Sequence, residues 1–448
     1  MLTDRPLQRN ALERFLAIFA DVRPGEGLTA LLFMMNVFTL LTAYYIIKPV
    51  REALILSGSG AEIKSYAGAA QAMLLVLIVP IYGVVASRMN RIRLINGMTA
   101  FFISNLLMFF VLGRAHVPLG IVFFLWVGLF NLLLPAQFWA LANDVYTQEQ
   151  GRRLFAIVGI GSSLGAILGA KVAGWLFEPV GAYAMMLVSA GLLVICMGLT
   201  NWIHHREKRA AMTSGSLQAE TVDRPIGGTG AFQLVFRYRY LFLIAILVLT
   251  SNLVNTTGEF ILGKAVTLHA ATSVASAANP ALTKEAYIGK FYADFFFWVN
   301  LAGAALQLFV VSRIMKYLGI GSALFFLPLI ALGSYGLLAL MPVLSLIRIG
   351  KIFENSTDYS IQNTARHALF LRTNREAKYK AKSAIDSFFW RAGDGLSALL
   401  VFIGTQLAFD LRSFALVNLV LVVLWLGLVI GINRIRDEQA SSTRPLAA

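Results

Sequence analysis

Apolar runs of about twenty residues recur along the whole chain, and each is long enough to cross a hydrocarbon core of about 30 Å. The first of them reads LTALLFMMNVFTLLTAYYII. Hydrophobic residues make up 58% of the chain and charged residues only 14%, whereas soluble proteins average about 25% charged residues. The runs are continuous, unlike the short alternating strands of a membrane barrel. The sequence therefore predicts an all-α protein embedded in the lipid bilayer.

The apolar windows predict twelve membrane-spanning helices in two sets of six. The first set fills residues 28–203 and the second residues 240–433. Residues 1–27 are expected to form a cytoplasmic N-terminal segment, and residues 434–448 a cytoplasmic tail. Residues 204–239 are polar and rich in Gly and Ser, which is typical of a cytoplasmic linker. The predicted spans are 28–56, 64–87, 92–113, 118–146, 153–178, 181–203, 240–268, 286–313, 318–340, 342–370, 381–407 and 411–433.

Basic residues are concentrated in alternate loops, all on one side of the predicted membrane. Because Lys and Arg accumulate in cytoplasmic loops, we expect both termini in the cytoplasm of a bacterial inner-membrane protein. The net charge of +15 then reflects orientation, and no nucleic-acid partner is expected. The clusters are Arg5/Arg9/Arg14, Arg88/Arg91/Arg93, Arg152/Arg153, Arg206/Lys208/Arg209, Arg313/Lys316, Arg372/Arg375/Lys378/Lys380 and Arg434/Arg436.

Several charged residues fall inside predicted spans, where a charge costs several kcal/mol and is a functional candidate by default. The tenth span carries six polar residues spaced three or four apart, which places them on one helical stripe. A stripe of this kind is expected to face an aqueous cavity. Its members are Arg348, Lys351, Asn355, Asp358, Gln362 and Arg366.

Polar residues also mark other spans, and a purely structural interpretation of some of them stays open. Arg391 and Asp394, three residues apart, can neutralise each other. Lys48, Glu52 and Lys264 can extend their charged ends to the outer interface. The remaining candidates are Asn36, Tyr44 and Arg51 in span 1, Gln137 and Asp144 in span 4, Lys171 in span 5, Asn252, Asn255, Thr256 and Glu259 in span 7, and Asp294 in span 8.

The order of six spans, a basic linker and six spans resembles the major facilitator fold, whose halves are related by an axis along the membrane normal. In that fold spans 1 and 7 are equivalent, as are spans 4 and 10. Arg51 and Glu259 occupy the outer parts of their helices, and Asp144 and Arg366 the inner parts. Each equivalent pair carries opposite charges, so we predict an outer gate and an inner gate that close alternately.

Span 5 contains a ladder of small residues that lets another helix approach closely: Gly161, Gly165, Gly169 and Ala173. We interpret this ladder as helix packing. The segment GIGSSLG is not a phosphate-binding loop, because no strand precedes it and no Lys-Ser/Thr follows. No nucleophile–base pair or metal-ligand spacing occurs in the sequence, so we expect no enzyme activity, cofactor or metal.

Several segments resemble the nucleotide transporters, the ATP/ADP translocases of plastids and intracellular bacteria. YIIKPVREALILSGSGAEI is similar to the family's first span, and ALANDVYTQEQGRRLFAIVGIGSSLGAILG to its Ala-Asn-Glu segment and the following helix. NLVNTTGEF and FYADFFFWVNLAGAALQLF resemble spans 7 and 8, and DYSIQNTAR with EAKYKAKSAIDSFFWRAGDGLSA resembles spans 10 and 11.

The resemblance implies that the family's substrate-handling charges fall on Arg51, Asp144, Glu259 and Arg366. The chain departs from the family at several of these positions. Arg replaces Lys at 51 and 366, Asp replaces Glu at 144, and the Phe-Asp-Pro run of span 10 reads Gln362-Asn363-Thr364. The acidic stretch before span 11 is replaced by LRTNREAKYK.

We therefore expect a monomeric secondary transporter that works by alternating access and moves an anionic solute. The expected solute is a nucleotide such as ATP or ADP, or a related phosphorylated metabolite, carried by exchange. Basic side chains would hold it, and the candidates to stack on a base are Tyr44, Trp139, Phe260, Tyr359 and Trp390. The full set predicted for binding or gating is Arg51, Asp144, Glu259, Arg366, Arg348, Lys351, Asp358, Lys48, Lys171 and Asn255.

Two alternatives remain open from the sequence. The first is a proton-coupled carrier of a non-nucleotide solute, with Glu259, Asp294 or Asp394 as the proton carrier. Its uptake would respond to a pH gradient and need no counter-substrate. The second is a membrane relative that transports nothing, such as a lipid-handling or sensory protein.

Overall fold

The structure, a computed structural model, describes residues 10–214, 231–276, 283–370, 373 and 381–442. The basic loop residues Arg5, Arg9, Arg372, Arg375, Lys378 and Lys380 lie outside these ranges, as does the linker segment 215–230. The described helices are α1 (Ala11–Leu16), α2 (Gly27–Gly58), α3 (Gly60–Arg88), α4 (Arg91–Arg114), α5 (Gly120–Val145), α6 (Gln148–Ser214), α7 (Ala231–Arg237), α8 (Arg239–Ala275), α9 (Lys284–Phe309), α10 (Val311–Tyr317), α11 (Gly319–Leu340), α12 (Leu344–Thr357), α13 (Asn363–Ala368), α14 (Lys382–Ala384), α15 (Trp390–Gln406) and α16 (Leu411–Ser442), with π-helical turns at Asp358–Gln362 and Ile385–Phe389.

Eight of the described helices are long and apolar enough to cross a membrane, or nine if α9 and α10 form one span with a 42° bend. α6 contains two of the predicted spans, because Gly181 adopts φ 78° and ψ 163° and breaks the helix there. α12 has 14 residues and α15 has 17, and each directly adjoins a π-helical turn that continues the helix. The count of twelve therefore stays a prediction.

The span predicted over 342–370 corresponds to α12, the π-helical turn Asp358–Gln362 and α13, which follow one another directly. The π-helical turn Asp358–Gln362 separates α12 from α13, and a π-helical turn advances the chain differently from an α-helix. The predicted polar stripe therefore follows α-helical spacing only as far as Thr357. Lys351, Asn355 and Gln362 are buried, whereas Arg348 and Arg366 are half-buried.

The N-terminal segment is tied to α6 by hydrogen bonds and ion pairs. Arg153 on α6 donates to Glu26 at 2.9 Å, and Arg23 lies 2.5 Å from Glu149. Burial opposes ionisation of Glu26, but the hydrogen bonds from Arg153 and from the Arg23 amide outweigh it, so the pKa of Glu26 is lowered. At the start of α1, Asn10 and Glu13 form a reciprocal capping box.

The chain divides into two compact units. Unit 1 comprises Met1–Leu54, Leu75–Glu220 and Glu285–Phe297, and unit 2 comprises Ile55–Leu74, Thr221–Lys284 and Trp298–Ala448. Most of the predicted N-terminal half thus falls in unit 1 and most of the C-terminal half in unit 2. The predicted symmetry between the halves stays a prediction.

Unit 1 is held by close packing of α6 against α2 and by an aromatic core. A β-carbon on Gly161, Gly165 or Gly169 would lie 2.4–2.6 Å from a backbone oxygen of α2, so the ladder predicted for packing is confirmed. Phe102, Phe123 and Phe130 are fully buried in this core. In unit 2, α8 packs against α15 and α16, and α16 packs against α11.

Candidate functional site

Unit 2 contains a buried cluster of charged and polar side chains around Lys351, which we call the Lys351 cluster. Lys351 on α12 is only 2% exposed. Its Nζ lies 3.1 Å from Glu354 Oε2 and 3.6 Å from Glu259 Oε1, and it donates to Asn255 Oδ1 at 2.9 Å. Asn355 Nδ2 donates to Glu259 at 2.9 Å. The cluster therefore joins α8 to α12 through one lysine and two carboxylates.

Tyr335 on α11 completes the cluster by donating its hydroxyl to Glu354 Oε2 at 3.0 Å. This hydroxyl reaches the cluster because Gly258 on α8 leaves room for it. A β-carbon at position 258 would lie 2.1 Å from the Tyr335 oxygen. Three helices, α8, α11 and α12, thus meet at the Lys351 cluster.

Glu354 is a site residue that the sequence interpretation missed, although it is only 4% exposed. The signal was present in the sequence: Glu354 follows Lys351 by three residues, the spacing at which helical side chains of opposite charge meet. The same spacing was recognised for Arg391 and Asp394, which do form an ion pair at 3.3 Å.

Asp394 forms a second polar group beside the Lys351 cluster. Its Oδ1 accepts hydrogen bonds from Asn252 at 2.8 Å and from Thr256 at 3.0 Å, both on α8. Its Oδ2 is paired with Arg391. The predicted neutralisation of Arg391 by Asp394 is therefore confirmed, and this pair links α15 to the polar face of α8.

Arg366 lies over an aromatic ring. Its guanidinium carbon is 4.5 Å from the centroid of Trp390, and one terminal nitrogen donates to Asn363 at 3.2 Å. Its Nε is buried and has no hydrogen-bond partner among the described residues. Asp358 interacts with Arg366 electrostatically but forms no described ion pair with it. The guanidinium therefore makes one described hydrogen bond and rests on one aromatic ring.

Unit 1 places two predicted lysines against aromatic rings. Lys48 is 8% exposed, and its Nζ lies 4.0 Å from the centroid of Phe296 and 5.0 Å from that of Tyr45. Lys171 lies 4.8 Å from the Phe297 ring centroid. Cations over ring faces gain electrostatic stabilisation without a carboxylate.

The remaining predicted charges of unit 1 have partners within that unit. Arg51 pairs with the buried carboxylate of Glu52, and its guanidinium lies 4.9 Å from the Phe124 centroid. Asp144, at the end of α5, lies 2.5 Å from Arg91 at the start of α4, and both side chains are exposed. Arg91 was recognised in the sequence only as a loop charge. Asp294 is half-buried on α9.

Each predicted gate would join a residue of unit 1 to a residue of unit 2: Arg51 to Glu259, and Asp144 to Arg366. Both gates stay predictions. Of the aromatic residues predicted to stack on a base, Trp390 lies under a cation, whereas Phe260 is packed against Phe414 at 4.9 Å between centroids. Among the described residues no group of three or more His, Cys, Asp or Glu side chains is arranged to hold a metal ion.

Comparisons with known proteins place this geometry in a family. Residues 27–354 match the family model of the Major Facilitator Superfamily. The chain is 22% identical over 349 residues to ADP,ATP carrier protein 1 of Chlamydia muridarum, covering 68% of this chain but only 63% of that relative. It is 22% identical over 514 residues to ADP,ATP carrier protein 2 of Chlamydia trachomatis, covering 94% of this chain and 89% of that protein.

Among solved structures, the crystal structure of nucleoside transporter NupG matches with a TM-score of 0.62 and 12% identity, covering 91% of this chain and 98% of that one. A match at this identity shows a shared fold.

Helices long and apolar enough to cross a membrane, together with the family match over residues 27–354, define an integral membrane transporter. The chain belongs to the Major Facilitator Superfamily. The resemblance to the ATP/ADP translocase-like transporters is confirmed by the two carrier relatives.

Proposed function

We propose that this transporter moves a phosphorylated anion of the nucleotide class by exchange, through alternating access in a bacterial inner membrane. The names of the two chlamydial carriers support the choice of substrate class. We also propose that the protein is a monomer with both termini in the cytoplasm.

Arg366 carries this proposal. Its guanidinium rests on Trp390 and has one described hydrogen bond, to Asn363. A guanidinium presents a planar set of donors that binds two phosphate oxygens at once. An aromatic ring directly beside these donors offers a surface on which a base can stack. The pair therefore combines the two chemistries that a nucleotide requires.

Basic side chains on other helices support the same class of substrate. Lys48 and Lys171 lie against aromatic rings in unit 1, and Lys351 is held by carboxylates and an amide in unit 2. A phosphorylated anion can draw Lys351 away from its carboxylates only by replacing their charge. We propose that this exchange of partners accompanies binding, and that Arg51–Glu259 and Asp144–Arg366 pairs close the transporter in turn.

A thermal-shift screen of the purified protein tests the proposal. The ligands are ATP, ADP, other phosphorylated metabolites and uncharged solutes. A ligand at about 100 times its dissociation constant stabilises the folded state by about 2.7 kcal/mol, which is readily detected. We expect a shift with nucleotides that Arg366→Ala weakens strongly.

Arg114→Ala is the matched control, since Arg114 is an exposed arginine at the end of α4. It should leave the nucleotide shift unchanged. A flat response of the wild type to every phosphorylated compound would contradict the proposed substrate class and favour a carrier of another solute.

A further inference from the structure

A small cavity lies beside the Lys351 cluster inside unit 2. Its volume is about 10 Å³, close to the space that one water molecule requires. The polar and aromatic residues that line it are Ser251, Asn255, Glu354, Asp358, Trp390 and Trp425. The remainder of the lining is aliphatic. Two carboxylates therefore face a space with room for no more than a single small ligand.

Two buried groups of this lining lack a hydrogen-bond partner among the described residues. They are Oε1 of Glu354, a residue 4% exposed, and Nε1 of Trp425, a residue 1% exposed. A buried polar atom without a partner loses the hydrogen bond that water would supply, and the cost is larger when the group is charged. The other oxygen of Glu354 is fully used, since it accepts from Lys351 and Tyr335. The oxygen without a partner is therefore the one left for a ligand.

Asp358 is the second carboxylate of the cavity, and it faces the same small space as Glu354. The Asp358 carboxylate accepts no hydrogen bond from a described residue, and its described interactions are electrostatic ones with Arg366, Lys351 and Glu354. Two carboxylates that face one small space repel each other when both are ionised, and a proton placed between them removes that repulsion.

The charged groups around the cavity come from four elements. α8 contributes Glu259, which accepts from Asn355, and α12 contributes Arg348, Lys351 and Glu354. The π-helical turn contributes Asp358, and α13 contributes Arg366. Of these groups only the carboxylates Glu354 and Asp358 line the cavity itself.

Other titratable groups nearby do not line the cavity either. Arg391 and Asp394 on α15 neutralise each other, and Tyr335 on α11 takes part as a neutral donor. Arg348, one turn before Lys351 on α12, does not line the cavity, and α16 contributes the uncharged Trp425.

We propose that Glu354 and Asp358 form a proton-binding site in which one proton is held between the two carboxyl groups. A proton requires no coordination sphere, whereas a metal cation needs several oxygen ligands in a cavity of about 10 Å³. The proton comes from water and returns to water, so no other reactant is involved.

Protonation of Glu354 would weaken its ion pair with Lys351 and make that lysine available to an anionic substrate. This consequence rests on the proposed function, because it couples the proton to anion transport. Glu259, Asp294 and Asp394 were the carboxylates expected from the sequence to carry a proton. The residues that line the cavity assign the proton to Glu354 and Asp358 instead.

Infrared difference spectroscopy of the purified full chain tests the proton site without any substrate. The carbonyl-stretch band of protonated carboxyl groups is followed from about pH 5 to about pH 9, the range in which buried carboxylic acids titrate. We expect one buried carboxyl band to titrate there, and Glu354→Gln and Asp358→Asn each to abolish it or move its midpoint. Asp358→Asn removes no described hydrogen bond, so it keeps the test valid if Glu354→Gln does not fold.

Asp410→Asn is the matched control, because Asp410 is an exposed residue that accepts from Ser413 at the start of α16. Its pKa is lowered by the hydrogen bonds from the Ser413 amide and hydroxyl, so the band should be unchanged. Absence of any titrating band would overturn the inference. So would a band that survives in Asp358→Asn and disappears in Asp394→Asn.

A transport measurement separates this inference from the proposed function. Labelled ADP is offered to proteoliposomes with and without an inward proton gradient. Exchange of ADP without a titrating carboxyl band would retain the nucleotide function and reject the proton site. A titrating band in a protein that neither binds nor moves nucleotides would retain the proton site and reject the substrate class.

Discussion

The contact between α6 and α2 yields a quantitative stability prediction at Gly165. A β-carbon there would lie 2.4 Å from the Phe38 carbonyl oxygen and 3.0 Å from Phe38 Cα, whereas ordinary contacts lie at 3.4–4 Å. Relieving the closest contact requires the helices to separate by about 1 Å, and the atoms concerned are backbone atoms that cannot rotate away. We therefore expect Gly165→Ala to fall at the upper end of the about 1–3 kcal/mol that overpacking costs.

The assay is equilibrium unfolding of the detergent-solubilised protein with increasing concentrations of a denaturing detergent. Unfolding is monitored as the loss of the helical circular dichroism signal. Gly159→Ala is the control on the same segment of α6, since nothing lies within 4 Å of a β-carbon at that position. It should raise the free energy of unfolding by about 0.5–1 kcal/mol, the advantage of Ala over Gly inside a helix. Equal stability of the two variants would refute the packing argument.

Two further predictions concern charged groups. Lys351→Met should lower the free energy of unfolding by about 3–5 kcal/mol, because it leaves the buried Glu354 and the half-buried Glu259 without their cation. The double variant with Glu354→Gln should recover part of that loss in the same unfolding assay, and a stable single variant would contradict the assignment. Because the pKa of Glu26 is lowered in the folded state, its ion pair with Arg153 contributes stability above the unfolded pKa and loses it as pH falls through the folded pKa. The stability difference between wild type and Glu26→Gln should therefore close as the solution is acidified into the carboxylate range, and a constant difference would show that the ion pair does not matter.

The helical membrane class could be predicted from the sequence because apolar length is a local property. The predicted limits 92–113 correspond to α4 at Arg91–Arg114, and 318–340 correspond to α11 at Gly319–Leu340. The π-helical turn at Asp358–Gln362 could not be predicted in this way. The turn packs against α11, and no periodic pattern in the sequence indicates it.

In the candidate site, too, some residues could be predicted from the local sequence, whereas others depend on contacts made in the tertiary fold. Lys351, Asn255 and Glu259 were predicted because charges in apolar helices are conspicuous, and the structure brings all three together. Tyr335 was not predicted, because a tyrosine in an apolar span gives no sign of its partner. Its role depends on Gly258 on another helix, which leaves space for its hydroxyl.

The partners of single charges were also difficult to predict. The pairing of Asp144 with Arg366 stays a prediction from symmetry, and within unit 1 Asp144 pairs with Arg91 on α4, which the symmetry argument did not consider. Symmetry predicts which helices are equivalent. It does not predict which charged side chain of a neighbouring loop pairs with a given carboxylate. The ion pair of Arg391 with Asp394 was predictable because it requires only one turn of one helix.

Nucleotide exchange is the central claim, and counterflow tests it most directly. Uptake of labelled ADP is measured in proteoliposomes loaded with unlabelled ATP and in otherwise identical empty ones, at equal pH on both sides. The account predicts rapid uptake into loaded vesicles, little into empty ones, and strong impairment of the loaded rate by Arg366→Ala. Equal uptake in both preparations, or none in either, would contradict it.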